Sequence, residues 1–154
     1  MTTLNVDQFD GDIALMLGAD GGYIDYIGGQ PVMDAGGLET AVNISLFTQD
    51  GWWGNALYSN DTDSQIGSDF EERVMSKSID TLYLRDIEEA GKEALQWMIN
   101  VSLAQSVETE ALWPELDTIL YDILITKPDN TTLRLRYELN WQAGFLKPVL
   151  ANII

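Results

Sequence analysis

Apolar and polar residues alternate most regularly in the last third of the chain. The run Leu133–Trp141 has a large apolar side chain at every odd position and a polar one at every even position. A period of two is typical of a β-strand that buries one face and leaves the other in water. Residues 118–126 and 106–112 alternate in the same way, and Lys127-Pro-Asp-Asn130 favours a turn. This pattern predicts an antiparallel meander.

A helical period predicts the elements that precede this meander. The clearest helix covers about Asp80–Leu103, with Asp80 as its N-cap and one continuous apolar stripe. The stripe consists of Leu84, Ile87, Gly91, Ala94 or Leu95, Met98 and Val101. A second helix is predicted over Leu38–Phe47 and a short one over Phe70–Ser76, with a loop between them.

The first third of the chain is rich in glycine and predicts two short strands, residues 12–17 and 23–27, around a turn. The predicted fold class is therefore α+β. A small antiparallel sheet, made by the C-terminal meander and the N-terminal arm, packs against two helices. We divide the chain into a β-arm at 1–35, a core domain at 36–141 and an apolar C-terminal extension at 142–154.

The composition fits one globular domain of 154 residues, with 45% apolar and 21% charged residues. The chain has no run of eighteen apolar residues and no basic region followed by an apolar one at its N-terminus. We therefore expect no membrane span and no secretory signal, and maturation in the cytoplasm. Cys and His are both absent, which excludes disulfides, thiolate zinc sites and the Ser-His-Asp and Cys-His nucleophiles.

Three other kinds of site are chemically possible without Cys and His, and none is supported by residue spacing. The loop Asn60–Gly67 resembles a calcium loop, but Ile66 stands where an EF-hand needs glycine. Glu108 and Glu110 could form a hydrolytic carboxylate pair, but their strand face is expected to be wet. The pair Ser76-Lys77 lacks the elbow of an activated nucleophile. We predict no enzyme, no cofactor and no metal site.

The formal net charge of −17 restricts the partners. Such a field repels nucleic acid and anionic lipid, so we expect neither as a partner. The simplest role of this charge is to keep a subunit soluble until it assembles. The alternative is an acidic inhibitor or DNA mimic that binds a basic protein, although the acidic residues are spread along the chain rather than gathered in one block.

Three features are candidate partner contacts. Trp52 and Trp53 could form a recognition platform, since tryptophan is frequent at interface hot spots, but we expect at least one ring to cap the core. Arg134 and Arg136 form a positive stripe that is either a docking feature or a plain solvated face. The apolar C-terminus either packs on its own domain or is offered for strand addition. Its candidate residues are Trp141, Phe145, Leu146, Val149 and Leu150.

Short motifs between Asp12 and Trp141 resemble the Mu-like "gene product 46" family of phage tail proteins. The most specific are Gly51-Trp-Trp-Gly54 and the two segments before it, Gly37–Val42 and Ser45–Thr48. Further matches are Gly11–Leu15, Ile66-Gly67 and Glu93–Trp97. That family is related to the gpW and gene-25 baseplate wedge proteins of contractile tails, which share the order of helix, loop, long helix and strands.

The resemblance implies a structural subunit of the baseplate wedge, located in the virion tail and, during assembly, in the host cytoplasm. The expected partners are other wedge proteins and tail sheath subunits, with tube or hub proteins as a further option. Relatives let sheath arms extend their sheet, so this chain would join wedge or hub to the sheath and template the first sheath ring by β-strand addition. Some relatives have been called lysozyme-like, which leaves a carboxylate-dependent hydrolase as a second alternative. The Glu-Pro-Arg motif of gene-25 relatives is absent here, where Leu103–Val107 stands instead.

Overall fold

Helices occupy the middle of the chain and strands occupy both ends. The computed structural model describes residues 12–18, 21–34, 37–61, 65–76, 81–115, 118–140 and 145–153. The N-terminal strands are β1 (Asp12–Ile13), β2 (Leu15–Gly18), β3 (Gly21–Ile24), β4 (Tyr26–Ile27), β5 (Gln30–Pro31) and β6 (Met33–Asp34). The helices are α1 (Leu38–Phe47), the 3-10 helix η1 (Trp53–Tyr58), α2 (Phe70–Met75) and α3 (Thr81–Asn100). The C-terminal strands are β7 (Ser106–Glu115), β8 (Thr118–Thr126), β9 (Thr132–Asn140) and β10 (Phe145–Ile153).

The four C-terminal strands form one antiparallel sheet in the order β10-β9-β8-β7. The odd-numbered residues of β8 and β9 are buried: Ile119, Tyr121, Ile123, Ile125, Leu133, Leu135, Tyr137 and Leu139. They form one core with α1, α2 and α3 on the same side of the sheet. The predicted meander is present, and the α+β fold class is confirmed.

Helix α3 ends three residues earlier than the sequence predicted. Ser102 adopts a left-handed backbone conformation with φ of 62°. This lets the N–H of Leu103 donate to the carbonyl of Met98 at 2.9 Å, which is the Schellman arrangement that terminates a helix. Val101 therefore leaves the apolar stripe and is 58% exposed. The proposed N-cap Asp80 lies outside the described residues.

Residues 145–153 of the apolar extension form β10, which pairs with β9. The register runs from Phe145 opposite Asn140 to Ile153 opposite Leu133, with a shift between Pro148 and Leu150. This part of the extension is thus an outer strand of the chain's own sheet. A proline and an irregular register are both typical of outer strands, where one row of backbone groups has no ladder partner.

The described strands of the N-terminal arm form separate two-stranded pieces and do not extend the four-stranded sheet. Its strands are two to four residues long, and polar side chains of α1 bind their backbone. The hydroxyl of Thr40 donates to the carbonyl of Ile13 and accepts from the N–H of Leu15. The turn between β4 and β5 has φ of 61° at Gly28 and 83° at Gly29, which favours glycine at both positions. No helix among the described residues has the length and hydropathy to cross a membrane.

Candidate functional site

The Gly51–Gly54 motif displays its two tryptophans on the surface. The side chains of Trp52 and Trp53 are 38% and 78% exposed, and their ring centroids lie 5.2 Å apart. Along η1, Leu57 is 79% exposed and Tyr58 is 47% exposed. We call these four side chains the Trp platform. The expectation that at least one ring caps the core is wrong, because both rings are exposed and neither is among the side chains that pack against the core.

Contacts within the loop hold the Trp platform in place. A Cβ on Gly54 would lie 2.0 Å from Cζ3 of Trp52, so the indole ring rests directly against the glycine backbone. The side-chain amide of Asn55 makes two hydrogen bonds to Ile66. Its Nδ2 donates to the carbonyl at 2.7 Å, and its Oδ1 accepts from the N–H at 3.0 Å. Both sides of the loop are therefore tied together next to the tryptophans.

The base of the same loop is closed by backbone pairing between residues 48–50 and 67–68. The N–H of Ser68 donates to the carbonyl of Thr48 at 2.9 Å, and the N–H of Asp50 donates to the carbonyl of Ser68 at 3.2 Å. Gly67 has φ of 120°, and a Cβ there would lie 2.5 Å from the carbonyl oxygen of Gln49. The Ile66-Gly67 and Gly51–Gly54 motifs, which are separate in sequence, therefore lie on the two sides of the same loop.

A groove of about 700 Å³ lies beside the Trp platform, between α1, α3 and residues 65–67. Its apolar lining includes Ile44, Ile66, Trp97 and Val101. The indole N–H of Trp97 donates to the hydroxyl of Ser45 at 2.9 Å, which fixes the ring at the floor between the two helices. Because Ile66 lines the groove and is bonded to Asn55 of η1, the groove lies next to the helix that carries Trp53, Leu57 and Tyr58.

Arg134 and Arg136 do share the face of the sheet that the helices leave uncovered, but they are not a free positive stripe. Both bind Asp122, which is 6% exposed and lies opposite Arg136 in the strand register. Arg136 binds the carboxylate through Nε and Nη2, and Arg134 donates from Nη2 at 2.9 Å. These hydrogen bonds, from Arg136 first and Arg134 second, lower the pKa of Asp122 despite its burial. Asp122 is not among the site residues predicted from the sequence, although a hairpin turn at 127–130 places it across from Arg136.

The outer strands β7 and β10 differ in how much of their edge is regular. Pro114 and a register shift between Leu112 and Glu115 interrupt β7, whereas Ser106–Leu112 pairs with β8 without a break. One outward backbone group of this segment is bound by α3: the N–H of Ala111 donates to Oε1 of Glu88 at 2.9 Å. In the sheet of described residues, no strand lies on the outer side of β7.

The remaining candidate contacts lie in the C-terminal extension. The backbones of Phe145, Leu146, Val149 and Leu150 belong to β10. Their side chains and the whole of Trp141 lie outside the described part of the chain. Among the residues that are described, no cluster of three or more carboxylates could hold a metal ion.

Comparison with known proteins assigns the family. The profile of the family described as phage protein GP46 matches residues 38–132, more than half of the chain. The chain belongs to this family. It is also 33% identical over 110 residues to the Mu-like prophage FluMu protein gp46 of Haemophilus influenzae. That alignment covers 68% of this chain and 78% of the relative. No solved structure matches the chain.

The matched region begins at α1 and ends at the first residue of β9, so it includes the Trp platform, the β7 edge and all of the groove lining except Asp12. The predicted membership in the Mu-like family is confirmed. The relation to gpW and gene-25 wedge proteins is not tested by these matches and stays a prediction.

Proposed function

We propose that this chain is a non-enzymatic structural subunit of the baseplate wedge in a contractile phage tail. It joins wedge or hub proteins to the tail sheath, and it templates the first sheath ring by accepting a β-strand from a partner. Membership in a phage protein family supports a role in the particle. The observation that supports strand addition is the regular pairing of Ser106–Leu112 with β8, together with the absence of any described strand on the outer side of β7.

The chemistry of this edge suits an incoming strand. In an antiparallel ladder, alternate residues direct their backbone groups to the same side. Since the N–H of Ala111 points away from β8 toward Glu88, the N–H and carbonyl groups of Val107 and Thr109 also point outward. A partner strand that pairs there would satisfy these groups and would replace the Glu88 carboxylate at Ala111. Such backbone pairing is directional and tolerates many side chains, as a repeating assembly requires.

The other outer strand offers a less regular template. The register of β10 shifts next to Pro148, which has no N–H to donate. Deleting the C-terminal extension would not test partner binding directly. The deletion would also remove β10, which pairs along most of β9 in the chain's own sheet. We therefore assign the accepting edge to β7.

The test is a matched pair of variants at the centre of this edge. Thr109→Pro removes the outward N–H, and Thr109→Ala keeps it; both lose the hydroxyl that donates to the carbonyl of Glu88 at 2.9 Å. We expect both proteins to fold, because an outer strand tolerates proline where the N–H has no ladder partner. In phage that lack the native gene, Thr109→Ala should enter tails normally and Thr109→Pro at least about ten-fold less, as measured by immunoblotting of purified particles.

Normal incorporation of Thr109→Pro would contradict the proposal. If that variant does not fold, electron cryomicroscopy of wild-type particles decides instead. A strand of another polypeptide beside Ser106–Leu112 is the expected result, and a β7 edge facing solvent in the finished tail would overturn strand addition at this position.

A further inference from the structure

We propose that the Trp platform binds an arginine-rich segment of a protein partner, with guanidinium groups against the tryptophan rings. This contact is separate from the β7 edge and does not depend on strand addition. Three independent observations support it: the exposure of the platform, the way it is held, and the distribution of charge along the chain.

The exposure of the platform is unusual for side chains of this size. Trp53 and Leu57 are 78% and 79% exposed, although both belong to one short 3-10 helix next to a well-packed core. Large exposed apolar patches on globular proteins mark interaction sites. Tryptophan is among the residues that contribute most to binding when a partner covers it.

The Trp52 ring and the backbone that carries the platform are held by contacts within the loop. Trp52 lies against Gly54, where any side chain would displace the ring. Asn55 fixes η1 to Ile66 through two hydrogen bonds, and Gly67 permits the close backbone approach that closes the loop. A surface that is already ordered loses less conformational entropy on binding, so its contacts contribute more to affinity.

The charge distribution selects a cationic partner. None of the eight Lys and Arg residues precedes Arg73, so residues 1–72, which include the arm, α1 and the Trp platform, contain acidic residues and no basic ones. Arg73 itself is bound by Asp69 at 2.8 Å and by Asp86 and Glu93 at 3.0 Å each. A second copy of this chain would bring the same negative charge to the platform, which disfavours self-association there.

Arginine suits both the exposed aromatic rings and the negative charge of this surface. Its guanidinium group stacks on aromatic faces, is weakly hydrated and keeps its positive charge at every physiological pH. A cation over a tryptophan ring contributes about 0.5–1 kcal/mol at an exposed site and more when water is excluded. The carboxylates around the loop, such as Asp50 two residues before Trp52, add attraction over a longer range.

The test uses a hexa-arginine peptide with the full-length protein at about 0.15 M salt, where the attraction between distant charges is screened. Binding is followed through the five tryptophan indole N–H signals in NMR spectra, assigned by Trp→Phe variants. We expect saturable shifts that are largest for Trp52 and Trp53, and an affinity about five-fold lower or more for Trp53→Ala. Leu82→Ala is the matched control, because Leu82 is 69% exposed and lies on α3, outside the platform.

A second peptide and a second variant distinguish stacking on the tryptophan rings from charge attraction alone. Hexa-lysine should bind more weakly than hexa-arginine, because the ammonium group is compact and strongly hydrated. Gly54→Ala should lower the affinity while both tryptophans remain, since the new methyl group displaces the Trp52 ring.

Three results would overturn the proposal. The first is equal affinity of wild type and Trp53→Ala, and the second is equal shifts at Trp97 and Trp113, which would show non-specific coating of an acidic protein. The third is concentration-dependent self-association that Trp53→Ala abolishes, which would make a second copy the occupant.

Discussion

The phenol oxygen of Tyr121 lies where a methyl group on Gly91 would be. A Cβ on Gly91 would be 1.6 Å from that oxygen and 2.7 Å from Cζ of the ring. Tyr121 is fully buried on β8, and Gly91 lies midway along α3. The contact therefore sets how closely the long helix approaches the sheet. Burial raises the pKa of Tyr121, so the phenol stays uncharged in the neutral range.

Gly91→Ala should destabilise the protein by about 1–3 kcal/mol, because overpacking displaces either the helix or the tyrosine. This loss of stability is the opposite of the usual effect, because alanine inside a helix normally stabilises a protein by about 1 kcal/mol relative to glycine. The free energy of unfolding in urea measures the effect. Lys92→Ala, at the exposed neighbouring position, should be close to neutral.

The same contact gives a double-variant test. Tyr121→Phe removes the atom that overlaps most with the new methyl group, so Gly91→Ala should cost less in that background. Purely additive effects, or a Gly91→Ala protein as stable as wild type, would show that helix and sheet are not in contact at this point.

Periodicity predicted the elements of this fold because most of them bury one face. The stripe on α3 placed Gly91 on the buried face, but no local pattern indicates that a tyrosine thirty residues later needs that space. The loop at 48–68, which carries the Trp platform, has no apolar period, so the exposure of Trp52 and Trp53 could not be predicted from the sequence. Its fixed shape depends on contacts between positions far apart in the chain: the side-chain amide of Asn55 with the backbone of Ile66, and Gly67 with the backbone of Gln49.

Asn43 makes a second set of long-range contacts that the sequence pattern could not predict. It is 1% exposed, its Oδ1 accepts from the hydroxyl of Tyr137 at 2.7 Å, and its Nδ2 donates to the carbonyl of Leu15 at 3.1 Å. Asn43→Ala should cost about 1–3 kcal/mol, because it leaves buried polar groups without their partners. It should also speed hydrogen exchange near Leu15, whereas Tyr137→Phe should destabilise the core and leave that arm contact intact. Similar exchange near Leu15 in both variants would contradict this assignment.

Asp122 should make the free energy of unfolding decrease at acid pH. Its pKa is lower in the folded protein than the value of about 3.9 expected for the unfolded chain. The stabilisation is therefore complete above about pH 5 and is lost as the pH falls through the folded pKa. Asp122→Asn should be less stable by about 1–2 kcal/mol at neutral pH, and its deficit should shrink toward acid. Glu108→Gln, on the exposed part of the same face, is the control; a deficit that does not change with pH would contradict the ion-pair explanation.

Ser102 offers a stabilising substitution. Its φ of 62° lies in the left-handed region, which costs about 1–2 kcal/mol for a residue with a Cβ and little for glycine. Ser102→Gly should therefore raise the free energy of unfolding by about 0.5–1 kcal/mol, after the greater flexibility of glycine in the unfolded chain is included. Ser76→Gly is the matched control, because Ser76 has φ of −68° and gains nothing from glycine. Equal effects at the two positions would show that the helix end is not strained.

Glu88 should keep the β7 edge from pairing with other copies of the chain. Its carboxylate accepts the outward N–H of Ala111, so removal of the carboxylate leaves that group free to pair with another strand. Glu88→Ala and Glu88→Gln remove the same charge, but only the alanine variant loses the acceptor. Analytical ultracentrifugation at moderate salt should therefore show self-association of Glu88→Ala and a monomeric Glu88→Gln. If both variants associate equally, charge repulsion rather than the hydrogen bond protects the edge. If neither variant associates, Glu88 does not protect this edge.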